Sequence, residues 1–325
     1  MTRSWQIQMQ NAFTDLQTLC DYLELPINDL NLSQNAAKQF PLRVSLAFAE
    51  RIEKGNLHDP LLRQILPIHD ELQDYDGFSN DPVGDLNALK QTGLLHKYHG
   101  RVLLINTGAC AIHCRYCFRR NFPYADLQLN KQQENAVIQT IQNDSSIQEV
   151  ILSGGDPLIL NDDRLARLFD EFEKIPTLKR IRIHTRLPIV LPDRITDDLL
   201  VIFKNCSKKV IVVVHCNHAN EIDDVVAKVC QSLGLANVTL LNQSVLLQGV
   251  NDNTAALCNL SEKLFEVGVL PYYLHFLDKA NGTGHFQVSK KKALALLNEV
   301  QNRLSGYLVP KLVVEKAGEL SKQYL

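Results

Sequence analysis

The stretch "RVLLINTG" (101–108) leads through one alanine into "CAIHCRYCFRR" (110–120). The first part is apolar and partly β-branched, the pattern of a buried strand. The second is a polar loop carrying Cys110, Cys114 and Cys117 in C-x3-C-x2-C spacing. Five further runs repeat the strand pattern: "EVILSGG" (149–155), "RIRIHTR" (180–186), "VIVVVHC" (210–216), "VTLLNQSVLL" (238–247) and "LPYYLHF" (270–276). Helical patterns fill the intervals, at about 130–143, 161–174, 195–205, 219–234, 253–267 and 288–304. Strands alternating with helices predict a parallel sheet with right-handed crossovers. The polar residues then decide between an open sheet and a barrel. They gather just past the strands, as the cysteines, "SGGDP", "HTR", "HCNHANE" and "HFLD", and within the fifth run as "NQS". An open sheet concentrates its ligands at one switch point, whereas a barrel collects all its C-terminal loops around one mouth. Six contributing strand ends predict an α/β fold, a partial (β/α)6 TIM-like barrel.

Residues 1–95 read as a helical N-terminal region. "FTDLQTLCDYLEL" and "PLRVSLAFAERIEKG" have apolar residues at helical spacing, and "YDGFSNDPVGDLN" (75–87) is a turn-rich connector. The barrel is expected over 96–305, followed by a C-terminal segment, 306–325. The chain has 325 residues, 45% hydrophobic and 22% charged, with a net charge of −2. That balance gives no global pull toward nucleic acid or a membrane surface. No apolar run approaches the roughly 18–20 residues needed to span a bilayer. The start, "MTRSWQIQMQNAF", lacks the apolar core of a signal peptide, so a cytoplasmic location is expected.

Of the eight cysteines, Cys20, Cys206, Cys216, Cys230 and Cys258 are scattered singly and read as buried free thiols. The tight cluster of three is different. A closed structural zinc site takes four ligands, commonly in paired C-x2-C units, and no second pair follows here. His113 adjoins Cys114 too closely in sequence to complete such a site easily. A four-iron cluster normally takes four thiolates. Three leave one iron open to an exchangeable ligand. C-x3-C-x2-C, with the aromatic Tyr116 before the last cysteine, resembles the signature of the radical S-adenosylmethionine superfamily. The resemblance implies a [4Fe-4S] cluster whose open iron binds S-adenosyl-L-methionine. Ser153, Gly154, Gly155 and Asp156 of "SGGDP" are then the expected contacts of that molecule, through close backbone approach at the glycines or through Asp156.

The stretches "CRYCFRR", "ILSGGDPL", "RITDDLL", "HCNHANEI", "LLNQSVLLQGVND", "PYYLHFLDKANGTGHF" and "GYLVPKL" extend the match. Over about residues 95–325 the chain resembles the lysine 2,3-aminomutases, radical S-adenosylmethionine enzymes that also use pyridoxal 5'-phosphate. "EKGNLHDPLLRQIL", "GLLHKYHGRVLL" and "RNFPYAD" resemble the short members of that family, which make (R)-β-lysine for elongation factor P. The resemblance implies that Lys322 of "EKAGELSK" forms the Schiff base with pyridoxal phosphate. It implies that Arg186 holds the phosphate, with Asn242, Gln243 and Ser244 nearby. Arg119 corresponds to the clamp on the substrate carboxylate. Asp278 and Glu315 correspond to the two acids that read the side-chain ammonium, Glu315 with one methylene more than the family's aspartate.

The implied activity is conversion of L-α-lysine to (R)-β-lysine, with an external low-potential reductant. A ligase acting on elongation factor P would take up the product, and a homo-oligomer is left open. Three rival readings stand beside it: a 2,3-aminomutase for another amino acid such as glutamate, a radical S-adenosylmethionine enzyme without pyridoxal phosphate, and a non-catalytic Fe-S electron-transfer or structural protein.

Overall fold

The computed structural model describes residues 4–26, 31–127 and 129–325. One ten-stranded sheet follows chain order. Its strands are β1 (Leu89–Gln91), β2 (Leu94–Tyr98), β3 (Arg101–Thr107), β4 (Glu149–Gly154), β5 (Arg180–Thr185), β6 (Lys209–His215), β7 (Thr239–Val245), β8 (Leu270–His275), β9 (Lys311–Val314) and β10 (Gln323–Tyr324). β3 to β8 are parallel neighbours and match the six runs expected from sequence. Each of the six is followed by a helix: Lys131–Gln142, Asp162–Glu173, Asp197–Asn205, Asp224–Leu235, Thr254–Glu266 and Lys290–Arg303. All six start at a side-chain cap, supplied by Asn130, Asn161, Thr196, Asp223, Asn253 and Ser289. Each cap satisfies a backbone N–H of the first turn, a contribution of about 1 kcal/mol.

Side chains alternate across the strands, so the two faces can be told apart. Leu152, Ile183, Val212, Val214 and Leu240 share one core with Leu165, Phe169, Phe172 and Phe203 of the helices. This is the outer face. Ser153 and His184 follow Leu152 and Ile183 in sequence, and so point to the inner face. The register His215–Gln243–Tyr273 and Val245–His275 places those residues on the inner face as well. Polar groups from β4 to β8 therefore share one lumen.

The sheet curls on itself. Neighbouring strands lie about 4.8 Å apart, so β2 and β9, seven strands apart, would be separated by roughly 34 Å in a flat sheet. Instead Lys97 of β2 is 2.9 Å from Glu315, the residue after β9. Only a barrel brings these strands together, and among the described residues no ladder joins β2 to β9, so it is a partial one. The hairpin β1–β2 corrects the expectation of helix up to residue 95. Gly93, at φ +73°, makes its turn, and the edge of β3 pairs with β2. β9 and β10 were likewise not expected from the sequence pattern.

The N-terminal helices are shorter than their patterns suggested. "FTDLQTLCDYLEL" forms a helix only over Leu16–Tyr22, and "PLRVSLAFAERIEKG" only over Leu46–Ala49. The region does not stand apart from the barrel. Gln64 is fully buried and bonds to Arg186, Asn217 and Glu221 at the C-terminal ends of β5 and β6. Buried Glu71 pairs with Arg115 and Arg120, which flank Cys117. These segments thus cover the mouth where the cysteine loop lies. Among the described residues no helix is long and apolar enough to cross a membrane.

Candidate active site

The cysteine loop follows β3 and is locked to the exit of β4. Gly155 N–H donates to Thr107 O at 2.7 Å, and Asp156 N–H donates to Ala109 O at 2.8 Å. A Cβ on Gly155 would lie 2.2 Å from the Ala109 carbonyl oxygen, and one on Gly154 2.3 Å from that of Thr107. Gly154 also has φ +128°, which favours glycine. The two glycines are thus required by contact between two stretches of the chain itself.

Asp156 is equally committed. Its buried carboxylate accepts from Leu158 N, Arg186 N and Thr185 Oγ1, at 3.1, 2.7 and 2.7 Å. These three internal donors make it fix the start of the loop after β5.

Cys110, Cys114 and Cys117 are free thiols. Burial, with Cys114 next, pushes Cys117 up to about 11, and burial, with Asp156 next, raises Cys110 as well. Thiolates gathered on one half-buried loop hold their negative charge against a strong positive partner, as bound iron supplies. Among the described residues no three His, Cys, Asp or Glu side chains converge as ligands of a single ion. Three thiols on one loop are the donor type that an iron–sulfur cluster takes. His113 is turned away: its Nδ1 lies 2.8 Å from Pro41 O and its ring stacks on Phe40.

Arg186 departs from its expected place at the pyridoxal phosphate. Its Nη1 donates to Cys114 Sγ at 2.7 Å, and its Nη2 to Gln64 Oε1 at 2.7 Å and Glu221 Oε2 at 2.9 Å. The reason is Glu221, a fully buried carboxylate whose nearest cation is Arg186. Burial works against the Glu221 charge, but Arg186 and the backbone N–H of Asn217 hold its carboxyl below the usual range. Tyr116 joins this corner to the lumen through its hydroxyl, 2.9 Å from His215 Nε2. Burial, with Arg186 next, keeps His215 neutral, down at about 3.

Deeper in the lumen runs a chain of alternating charges. Buried Arg119 donates through Nε to Asp85 at 2.6 Å and through Nη1 to Ser153 Oγ at 3.2 Å. Asp85 meets Lys97 at 2.6 Å, Lys97 meets Glu315, and Glu315 meets Lys322. Burial opposes the charge on Glu315, yet Lys322 and Lys97 hold its carboxyl down at about 2. Asp278 lies within the field of Lys322 and Glu315; burial pushes its carboxyl up to about 7. Two acids of one chamber thus have opposite protonation preferences.

Lys322 also bears on His184 and His275, which burial holds neutral. The Nε2 atoms of both histidines are buried without a partner, as is Nε of Arg182. Arg180 and Arg182 share the single carboxylate Glu149, at 3.0 and 2.6 Å. The competing lysines Lys311 and Lys316 are exposed.

The expected phosphate contacts of "NQS" divide between the faces. Gln243 shares the inner face with His215 and Tyr273. Asn242 points outward and closes on Cys216, accepting from its N–H at 3.0 Å and donating to its carbonyl at 3.1 Å. Ser244 pairs in register with Leu274, which lies in an outer core with Leu257 and Leu296. Asn242 and Ser244 are therefore corrected to outer-face positions, because a strand turns alternate residues to opposite faces.

Asp85, Lys97, Gln64, Glu71, Glu221 and His215 were not singled out from sequence. Glu221 and His215 had a signal in "HCNHANE", a polar cluster at a strand end. Asp85 and Gln64 had none.

The fold and site define an α/β barrel enzyme built around an iron–sulfur centre. Residues 99–187 match the family described as "4Fe-4S single cluster domain". The chain is 47% identical to the L-lysine 2,3-aminomutase of Haemophilus influenzae, over 98% of this chain and 95% of that one. It is 47% identical to the L-lysine 2,3-aminomutase of Escherichia coli, over 98% and 93%. The enzyme of the same name from Acetoanaerobium sticklandii is 32% identical, over 97% of this chain and 76% of that one. Among solved structures, a radical SAM methyltransferase from Sphaerobacter thermophilus overlaps at TM-score 0.49 with 14% identity, over 68% of each chain. The chain belongs to the L-lysine 2,3-aminomutase family, and is an isomerase of the aminomutase type.

Proposed function

We propose that this enzyme moves the α-amino group of L-lysine to C3, giving (R)-β-lysine, with a [4Fe-4S] cluster, S-adenosyl-L-methionine and pyridoxal 5'-phosphate as cofactors. The observation that carries the reading is that Lys322, Asp278 and Arg119 share one lumen, although they come from opposite ends of the barrel sequence. When bound, the cluster and S-adenosylmethionine supply a carbon-centred radical, and pyridoxal phosphate supplies a π system that carries the migrating nitrogen.

The chain's own residues have separable tasks. Cys110, Cys114 and Cys117 hold the cluster. Lys322 is the lysine that binds pyridoxal phosphate. The cation offered to the phosphate is Arg182, whose Nε is unpartnered and which shares the single carboxylate Glu149 with Arg180. Arg119 takes the substrate carboxylate by a planar fork. Asp278 and Glu315 take the side-chain ammonium, which needs acidic partners once it leaves water. Ser153 orients Arg119, and the backbone around Gly154 and Gly155 borders S-adenosylmethionine. Gln64 and Glu71 help to exclude water from the mouth, a condition for radical chemistry.

Two acids in the chamber disfavour an anionic side chain such as that of glutamate. An Fe-S electron carrier would have no use for Lys322 in the lumen. By resemblance, an external low-potential donor reduces the cluster, a ligase passes β-lysine to elongation factor P, and the setting is cytoplasmic. The test is anaerobic reconstitution with iron, sulfide and pyridoxal phosphate, then reductant, S-adenosylmethionine and α-lysine. β-Lysine should accumulate. A reconstituted enzyme that cleaves S-adenosylmethionine yet leaves lysine unchanged would refute the assignment.

A further inference from the structure

Arg186 is the one guanidinium hydrogen-bonded to a cluster-ligand thiol among the described residues. Its place is heavily determined. Glu221 and Gln64 hold its second nitrogen, and its plane lies 5.2 Å from the Phe48 ring and 5.7 Å from that of Tyr116. Arg186 and Glu221 are both buried, with side chains 6% and 0% exposed. A buried ion pair costs desolvation and is weak evidence of a gain in stability. Here its product is a cation aimed at sulfur.

Hydrogen bonds to the sulfurs and the net charge nearby are levers on the potential of an iron–sulfur cluster. Reduction adds one electron to the cluster and concentrates negative charge on iron and sulfur. An N–H donor on a thiolate, and a positive charge behind it, stabilise the reduced form more than the oxidised one. A carboxylate close behind the donor offsets part of that effect. We propose that Arg186 is the positioning residue that raises the reduction potential of the cluster through Cys114, and that Glu221, fixed by Gln64, limits the rise. The N-terminal region thereby reaches the redox centre through Gln64. This rests on the iron–sulfur reading of the three cysteines. It replaces the phosphate role expected for Arg186 from sequence.

The test is an electrochemical titration of the reconstituted full chain, followed by the electron paramagnetic resonance signal of the reduced cluster. S-adenosylmethionine, pyridoxal phosphate and lysine are left out, so the readout is independent of turnover. Arg186→Lys keeps the charge and shortens the reach. Arg186→Gln combined with Glu221→Gln removes the pair together, which avoids an isolated buried carboxylate. Both should give a midpoint potential more negative than wild type. Glu221→Gln alone should move it the other way, because the guanidinium loses its counter-charge. Opposite shifts from the two partners of one ion pair are not what loosened packing produces.

Potentials unchanged in Arg186→Lys and in the double variant, at wild-type iron content, would overturn the proposal. So would an unchanged potential with weakened S-adenosylmethionine binding, which would assign Arg186 to that molecule instead. Absence of a reducible cluster in the wild-type chain would refute the iron–sulfur reading itself, a separate failure.

Discussion

Lys97 and Glu315 are 218 residues apart in sequence, yet Nζ and Oε1 meet at 2.9 Å. The contact fastens the seam between β2 and the end of β9. Lys97 also serves Asp85, so its removal takes a cation from two buried carboxylates. Each keeps a second partner, Arg119 for Asp85 and Lys322 for Glu315. The expected loss for Lys97→Met is therefore about 1–3 kcal/mol, the scale of a charged hydrogen bond, rather than that of an orphaned ion. Chemical denaturation of the apoprotein measures it, and Lys97→Arg should recover most of the loss.

Lys322→Ala should abolish the visible absorbance of lysine-bound pyridoxal phosphate while iron content stays at the wild-type level. The two sites draw on different elements, the tail for one and the loop after β3 for the other. Borohydride reduction followed by peptide mapping checks the position. Label on Lys311 or Lys316 would show that the cofactor lysine lies elsewhere.

Asp278 makes a prediction about pH. Burial raises its carboxyl from 3.8 to about 7, so between these values the folded protein holds a proton that the unfolded chain releases. Any stability from this group is present at low pH and is lost as pH rises through about 7. Asp278→Asn removes the dependence, so its apoprotein should gain on wild type between pH 6 and pH 8. The gain is bounded by about 1.4 kcal/mol for each tenfold difference in proton affinity between the folded and unfolded chains. Binding runs the opposite way. The charged form reads an ammonium, so wild-type kcat/KM for α-lysine should rise across the same interval. The variant should fall by about 10- to 150-fold at pH 8, if one charge-assisted bond of about 1.5–3 kcal/mol is lost. An unchanged kcat/KM would mean that the ammonium is read elsewhere.

Gly155→Ala tests the lock between β4 and the cysteine loop. The added methyl would meet backbone, the Ala109 carbonyl oxygen at 2.2 Å, so the loop itself must shift. Iron uptake on reconstitution should fall severalfold while far-ultraviolet circular dichroism stays close to wild type. Full uptake would show that the loop accommodates the methyl without moving its thiols.

The six strand–helix units were legible because each strand is a nearly continuous apolar run, and each helix has a capping residue at its start. The three cysteines were legible from spacing. Lys322, Asp278, Glu315 and Arg119 came from resemblance, and the fold brings their side chains within one network. What escaped was direction. In a strand covered on both faces, apolar residues line both sides, so the pattern of "VTLLNQSVLL" cannot tell lumen from exterior. Asn242 and Ser244 were lost in that ambiguity, while Gln243 fell on the inner side. Arg186 was misplaced because its direction depends on Glu221 and Gln64, 35 residues downstream and 122 upstream. The hairpin β1–β2 was hidden because its strands are short and its pairing comes from β3.

The alternating series Arg119–Asp85–Lys97–Glu315–Lys322 has a consequence for ligand entry. The chamber is built like a crystal, each ion sitting among its opposites, with three cations to two anions. An incoming zwitterion does not find bare poles that need water. On the function proposed above it would trade places, its carboxylate taking the place of Asp85 at Arg119 and its side-chain ammonium that of a lysine at Glu315. Recognition of this kind selects by the spacing of opposite charges along the guest, so a diamino acid one methylene shorter would strand one end of the series without a counter-ion.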